Sequence, residues 1–324
     1  MTREMYFIYF FFLILFPGGC QNSKTHPSPG DEVSKDINIK REAVLSHTPL
    51  LITPDASNVL ALDYLVIETQ KGEKKTFFGA VNESFMNEES GYYTISYPFV
   101  ITGNIDFSTL RFALHRKMGN SIRINGETVF PLPHSYFLTK EYLLYEIGSH
   151  SNYGKNTCSV QVERGNMPHK WTAYLLGTFS LLSSETGFEV SQPMALQTGN
   201  WVEQGMPFYT GAVTYSKIYI LEDKQAGYTL TLPEWSGDRA EIYINNQLIC
   251  LTKTGEKTID ITPYITTGEN TIDIKVYALS HNIKGAYYSV DSLNKMPLPG
   301  DSYRFLPSGL YFDFLVEKHP EPVK

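Results

Sequence analysis

From residue 50 onward, apolar and polar residues alternate in short runs bounded by Gly, Pro, Asn and Asp. Val59 to Glu68, Tyr92 to Ile101, Thr109 to Leu114, Ser121 to Ile124, Ala212 to Leu221, Gly227 to Leu232 and Thr271 to Leu279 carry the pattern. A period of two puts successive side chains on opposite faces, which is the signature of half-buried strands. No window past residue 50 carries a sustained helical stripe with caps. The pattern predicts an all-β chain built as a β-sandwich or jelly roll. An aromatic content of 14%, with 22 Tyr, suits pleated surfaces.

A diverged repeat divides these runs. Leu110 to Leu114 is followed by Ser121 to Val129, in which Asn125-Gly126 is a hairpin signal, and then by Gly154 to Val162. The second half repeats the order with Tyr228 to Leu232, then Ala240 to Ile249 around Asn245-Asn246, then Gly268 to Val276. A strand, an Asn-centred hairpin and a Gly-x-Asn entry to an alternating strand thus occur twice. Two consecutive modules of related fold are expected, at residues 49–182 and 183–318, with 319–324 as a tail.

The N-terminus has a different texture. Arg3 precedes an unbroken apolar run from Met5 to Phe16, too short to span a bilayer and of the length of a signal-peptide core. Pro17-Gly18-Gly19-Cys20 follows and resembles a bacterial lipobox, except that Pro17 stands where an aliphatic residue is usual. The expectation is a lipoprotein signal at 1–19 and lipidation at Cys20; an ordinary secretory signal with an incidental cysteine is the alternative. Residues 20–48 are rich in Pro, Ser, Asn and charge, so they read as a lipidated flexible tether. The implied location is the bacterial cell envelope, anchored to the outer membrane and facing periplasm or surface, with the lipid bilayer as one partner.

The net charge of −7, without a basic cluster, argues against a nucleic-acid partner. Past Cys20 only Cys158 and Cys250 remain, each in an apolar run in a different half, and both are expected as separate buried thiols. The eight His show no metal-ligand spacing, and no nucleophile elbow or phosphate-cradling glycine loop occurs. No cofactor is implied. A structural Ca²⁺ is frequent in jelly rolls of this kind, but no ligand set for one stands out.

The paired signature resembles the galactose-binding-like, family 2-type sugar-binding sandwich. In the second half Gly199-Asn200-Trp201, Gln204 to Gly211 and Val213-Thr214-Tyr215 are similar to a motif near the C-terminus of large bacterial family 106 rhamnosidase-like glycoside hydrolases. Asn58 to Tyr64, Tyr174 to Phe179 and Leu306 to Leu310 resemble further segments of the same enzymes, so the likeness runs over roughly residues 50 to 316. The turn Asn282 to Tyr288 departs from it, lacking the family's Pro and His. The resemblance implies tandem carbohydrate-binding sandwiches without the catalytic barrel, which needs about 250 residues of alternating strand and helix. Three roles follow: a non-catalytic glycan-binding lipoprotein, an accessory subunit of a separately encoded glycosidase or a remnant of a large one that lost its barrel, or a structural or adhesive sandwich whose partner is protein.

For glycan binding the useful side chains are exposed aromatic faces flanked by amides and charges. Trp235, with Asp238 and Arg239 beside it, is the first candidate, in a loop read as joining two strands; the indole folded back over the sandwich end is the other reading. Trp201 and Tyr209 lie in the motif most like the family and are candidates for either binding or packing. Tyr287 and Tyr288 form a further candidate patch, and Trp171 is expected at a module junction. Glu234, Asp238, Glu269 and Asp273 are expected as solvated carboxylates, so no catalytic pair is assigned.

Overall fold

The computed structural model describes residues 41–78, 91–163, 172–184, 187–222, 226–253, 255, 257–284 and 303–320. Cys20, Trp171, Tyr287 and Tyr288 lie outside the described residues.

The described chain is two β-sandwiches, as the alternation predicts. Each is organised around one long antiparallel ladder. In the first, Tyr92–Ile101 pairs residue for residue with Gly154–Glu163. In the second, Ala212–Leu221 pairs with Gly268–Tyr277 in the same way. Alternate residues of each strand point inward: Tyr93, Ile95, Tyr97, Phe99 and Ile101 are buried in the first, and Val213, Tyr215 and Tyr219 in the second. Hairpins extend both ladders, Ile122–Ile124 with Glu127–Val129 in the first and Ala240–Ile244 with Gln247–Thr252 in the second.

A second sheet covers each inner face. In the first sandwich it holds, in spatial order, Pro131–Phe137, Thr139–Glu146, Arg111–His115, Ala173–Gly177 and Asn58–Leu62. In the second it holds Glu42–Val44, Leu315–Pro320, Ala226–Leu232 and Lys257–Asp260. Two separate apolar cores result, one around Phe112, Tyr145 and Leu175, the other around Trp201, Leu230 and Ile274.

The repeat extends to individual hydrogen bonds. Asn125 and Asn245 take left-handed φ values of 51° and 50°, which an Asn hairpin turn tolerates. The Asn125 side chain accepts from Thr157 N at 3.0 Å and donates to Asn156 Oδ1 at 2.9 Å. Asn245 accepts from Thr271 N and donates to Asn270 Oδ1, both at 3.0 Å. Asn156 also donates to Asn152 O and Gly154 O, while Asn270 donates to Thr266 O and Gly268 O. Each buried amide therefore ties a hairpin to the start of the long strand beside it, leaving no polar atom unmet in a place water does not reach.

Strand pairing departs from the expected boundaries at both ends. Glu42–Val44, expected in the tether, pairs with Leu315–Pro320 of the second sandwich. Leu51–Pro54, expected in the first module, is the edge strand beside Ala212–Leu221. Ser180–Ser184 and Gly187–Ser191 form a hairpin that joins the first sandwich, reaching the end of its long ladder through Val190 and Ile101. His319 and Pro320, expected as tail, pair with Gly227 and Ala226. Alternation identifies a short edge strand but carries no information on which sheet's free backbone groups it will satisfy.

Cys158 is free and buried as expected, and burial pushes its thiol well above the ordinary range. Cys250 is a correction: it is disulfide-bonded, not a free thiol. An apolar flank indicates burial, but it does not exclude a covalent partner.

Candidate functional site

Three of the aromatics singled out for sugar binding are core residues. Trp201 is 1% exposed, Tyr209 1% and Trp235 6%. Trp235 is therefore not an exposed platform. It pairs with Leu310 in a two-residue ladder, and its indole N–H donates to Gly255 O at 3.2 Å. Its ring area is worth more inside the second core than in water, and one backbone carbonyl satisfies its single polar atom.

Trp201 and Tyr209 meet edge to face with centroids 6.1 Å apart. The Tyr209 hydroxyl accepts from Ala56 N at 3.0 Å and lies 3.0 Å from Ala212 O and 3.2 Å from Asp55 Oδ1. Burial, together with the neighbouring Asp55 carboxylate, pushes its pKa up. Desolvation would raise Asp55 too, but hydrogen bonds from Ala212 N and Lys275 outweigh it and hold the carboxyl below its usual range. The Gly199–Trp201 segment also binds the other family-like segment: Gly199 N donates to Leu310 O and Trp201 N to Ser308 O. The motif that carries the resemblance is thus a clasp between distant parts of the chain.

Asp238 and Arg239 do lie on a surface, and Arg239 is half-buried there. Its guanidinium stacks on Tyr277, 3.5 Å from the ring centroid, and its Nε donates to Glu241 Oε1 at 2.9 Å. Tyr243 and Tyr277 both donate to Glu241 Oε2 at 2.8 Å. Desolvation of Glu241 opposes ionisation, yet the bonds from Arg239, Tyr277 and Tyr243 prevail and its pKa is lowered. Its charge in turn helps push Tyr243, already raised by desolvation, to about 12. Every oxygen of this carboxylate is used, so the cluster closes on itself.

The corresponding place in the first sandwich is open. The registers Arg123↔Ser159 and Tyr243↔Asp273 are equivalent in the two hairpin–ladder units. Counting along the sequence from these pairs, Ser121 corresponds to Glu241, Gly119 to Arg239, Gln161 to Lys275 and Glu163 to Tyr277, but the hairpin strand of the first sandwich starts only at Ile122 and its pairing with the ladder ends at Arg123. A groove of about 590 Å³ lies there. Ile122 and Val160, both buried, back it. Its polar lining is Thr94, Asn120, Ser121, Arg123, Thr128, Ser159 and Gln161. None of these seven side chains makes a hydrogen bond or ion pair within the described structure. Tyr92, 48% exposed, stands on the same face two register pairs beyond Thr94↔Gln161.

This groove had no sequence signal of its own, because it exists through side chains that are short. A Cβ at Gly119, whose φ is +143°, would meet Val160 Cγ2 at 3.4 Å. A pocket of about 350 Å³ also lies between Leu60–Asp63, Phe188 and Tyr303. Its carboxylate, Asp63, is already engaged by Thr172 at 3.1 Å and Tyr303 at 3.4 Å. Among the described residues no group of three or more His, Cys, Asp and Glu could hold a metal ion, and no helix is long and apolar enough to cross a membrane.

No family model and no curated protein matches the chain. Solved structures similar to it include a rhamnosidase from Novosphingobium sp. PP1Y, at 14% identity and TM-score 0.30 over 83% of this chain and 25% of that one. A β-D-glucuronidase from Dictyoglomus thermophilum is similar at 18% identity and TM-score 0.28, over 45% of this chain and 27% of the enzyme. A family 2 glycosyl hydrolase from Bacteroides cellulosilyticus is similar at 14% and 0.28, over 72% and 32% respectively. The chain spans about a quarter to a third of the length of these proteins. Superpositions this loose carry no argument about function. The class defined by the strands themselves is a tandem all-β sandwich.

Proposed function

We propose that the chain is a lipid-anchored protein of the bacterial cell envelope that binds glycan in the open groove of its first sandwich. In this reading it serves polysaccharide degradation as an accessory to a separately encoded glycosidase and carries no catalytic centre of its own. The observation that supports it is the set of seven unpartnered polar side chains around one groove. Saccharide hydroxyls both donate and accept, so a lining of hydroxyls, two amides and a guanidinium can meet several of them at once. Tyr92, exposed on the same face beyond the lining residue Thr94, offers a ring face to pyranose C–H groups.

A glycan array probed with the purified chain tests the reading. Binding should appear on a restricted set of glycans and weaken at least about fivefold in Gln161→Ala, as loss of one or two hydrogen bonds implies. Absence of binding to every glycan, or binding indifferent to Gln161→Ala and Tyr92→Ala together, would remove the groove from the account. The anchor has its own test. Metabolic labelling with a palmitate analogue should mark the wild type and not Cys20→Ala, and equal labelling of both rejects it.

A further inference from the structure

We infer that the glycan held in the groove carries a carboxylate, as uronate-bearing oligosaccharides do, and that Arg123 binds it. The inference rests on reading the groove as a glycan site and names the class of sugar.

The second sandwich shows what this place in the fold holds when it is filled. There a carboxylate, that of Glu241, receives one guanidinium and two phenol hydroxyls at 2.8–2.9 Å. In the first sandwich Ser121 stands in the place of Glu241, so the position of the carboxylate is vacated. Arg123 stands in the place of Tyr243, one of the hydroxyls that binds that carboxylate. A cation thus replaces a neutral donor where the internal anion has been removed.

Arg123 is exposed and has no ion-pair or hydrogen-bond partner in the described structure. It is the one charged side chain among the described residues that line the groove. The nearest carboxylates by register lie outside the lining. Glu68, beside Thr94, is ion-paired with Lys74 at 3.2 Å, and Glu163, beyond Gln161, is already engaged elsewhere. A planar guanidinium matches a carboxylate through two parallel N–H···O bonds, which a neutral sugar hydroxyl cannot accept. Ser121, Thr128, Ser159 and Gln161 remain to bind ring hydroxyls beside it.

Isothermal titration of the full chain with three oligosaccharides of equal length tests this: an oligogalacturonate, a neutral galacto-oligosaccharide and a sulfated galacto-oligosaccharide. The oligogalacturonate should bind about tenfold or more tighter than the neutral sugar at low salt, as a charge-assisted bidentate contact implies. The gap should narrow as salt rises, because the charge pair is at the surface. Arg123→Gln should erase the gap and Arg123→Lys should keep part of it, with far-UV spectra unchanged in both. Equal affinity for acidic and neutral sugars, unchanged by Arg123→Gln, overturns the carboxylate inference and leaves glycan binding intact. Tighter binding of the sulfated sugar than of the uronate also overturns it. Binding of none of the three overturns the glycan reading on which it rests.

Discussion

On the outer face of its long ladder the second sandwich carries Arg239, Glu241, Tyr243 and Tyr277; at the same positions the first carries Gly119, Ser121, Arg123 and Glu163. Both sandwiches keep the paired asparagines, Asn125 with Asn156 and Asn245 with Asn270, while the hairpin strand beside the ladder is shorter in the first, Ile122–Ile124 against Ala240–Ile244. What differs is where the polar atoms find their partners. In the second sandwich they satisfy one another, and the face is a stabilising cluster. In the first they are short or unpartnered, and the face is a groove. One scaffold thus yields a closed surface or a receptive one according to a few side chains, because register and twist are carried by the ladder and its Asn turns.

The sharpest break with a binding role for the exposed-loop candidates comes from Trp235→Ala. It should cost about 3–5 kcal/mol, as truncating a buried aromatic does. The thermal transition of the second sandwich, followed by fluorescence of Trp201 in a Trp171→Phe background, should fall accordingly. An unchanged midpoint would put the indole outside the core.

Asn156→Ala and Asn270→Ala probe what the two sandwiches share. Each removes a buried amide and leaves several backbone groups unmet, so each should destabilise its own sandwich by about 2–3 kcal/mol. Circular dichroism and tryptophan fluorescence read together in a Trp171→Phe background assign the loss, since Trp201 and Trp235 both belong to the second core. A large penalty in one sandwich and none in the other would show that the repeat is not mechanically equivalent.

Glu241→Gln probes what they do not share. It should cost about 1–2 kcal/mol at neutral pH, because Arg239 and two tyrosines lose an anionic acceptor that is mostly shielded from water. The sign with pH follows from the lowered pKa of Glu241. Its contribution is complete above the ordinary glutamate range and is lost as pH falls through the lower folded-state value. The wild type should therefore lose stability more steeply than the variant over that acid range. Parallel curves would mean that the cluster is not charged as described.

The smallest effect belongs to the groove. Ser121→Ala and Gln161→Ala should each move stability by less than about 0.5 kcal/mol, since neither side chain has a partner to lose. A larger loss in denaturant melts would show that the groove has a structural role after all.

Strands, hairpins and the repeat were legible because they are local: alternation at Tyr92–Ile101 and Ala212–Leu221, and Asn-Gly and Asn-Asn at the turns. The segments singled out for their resemblance meet in a clasp, in which Gly199–Trp201 grips Ser308–Leu310. Its aromatics were harder to place. A tryptophan between Pro233 and Gly237 looks like a loop residue until the ladder with Leu310 closes over it. Edge strands Glu42–Val44 and Leu51–Pro54 joined the far sandwich, which no local pattern encodes. The groove was least legible, since it is a gap made by Gly119 and Ser121 beside a strand some forty residues onward, and a missing side chain leaves no motif.

Copying the filled face onto the open one tests the central claim most directly. The double variant Ser121→Glu/Arg123→Tyr places the Glu241–Tyr243 pair of the second sandwich into the first. Titration of the best array glycan against wild type and variant, with thermal melts run alongside, gives the answer. The account predicts an unchanged or slightly raised melting temperature together with loss of binding in the variant. Binding as tight in the variant as in the wild type would contradict it.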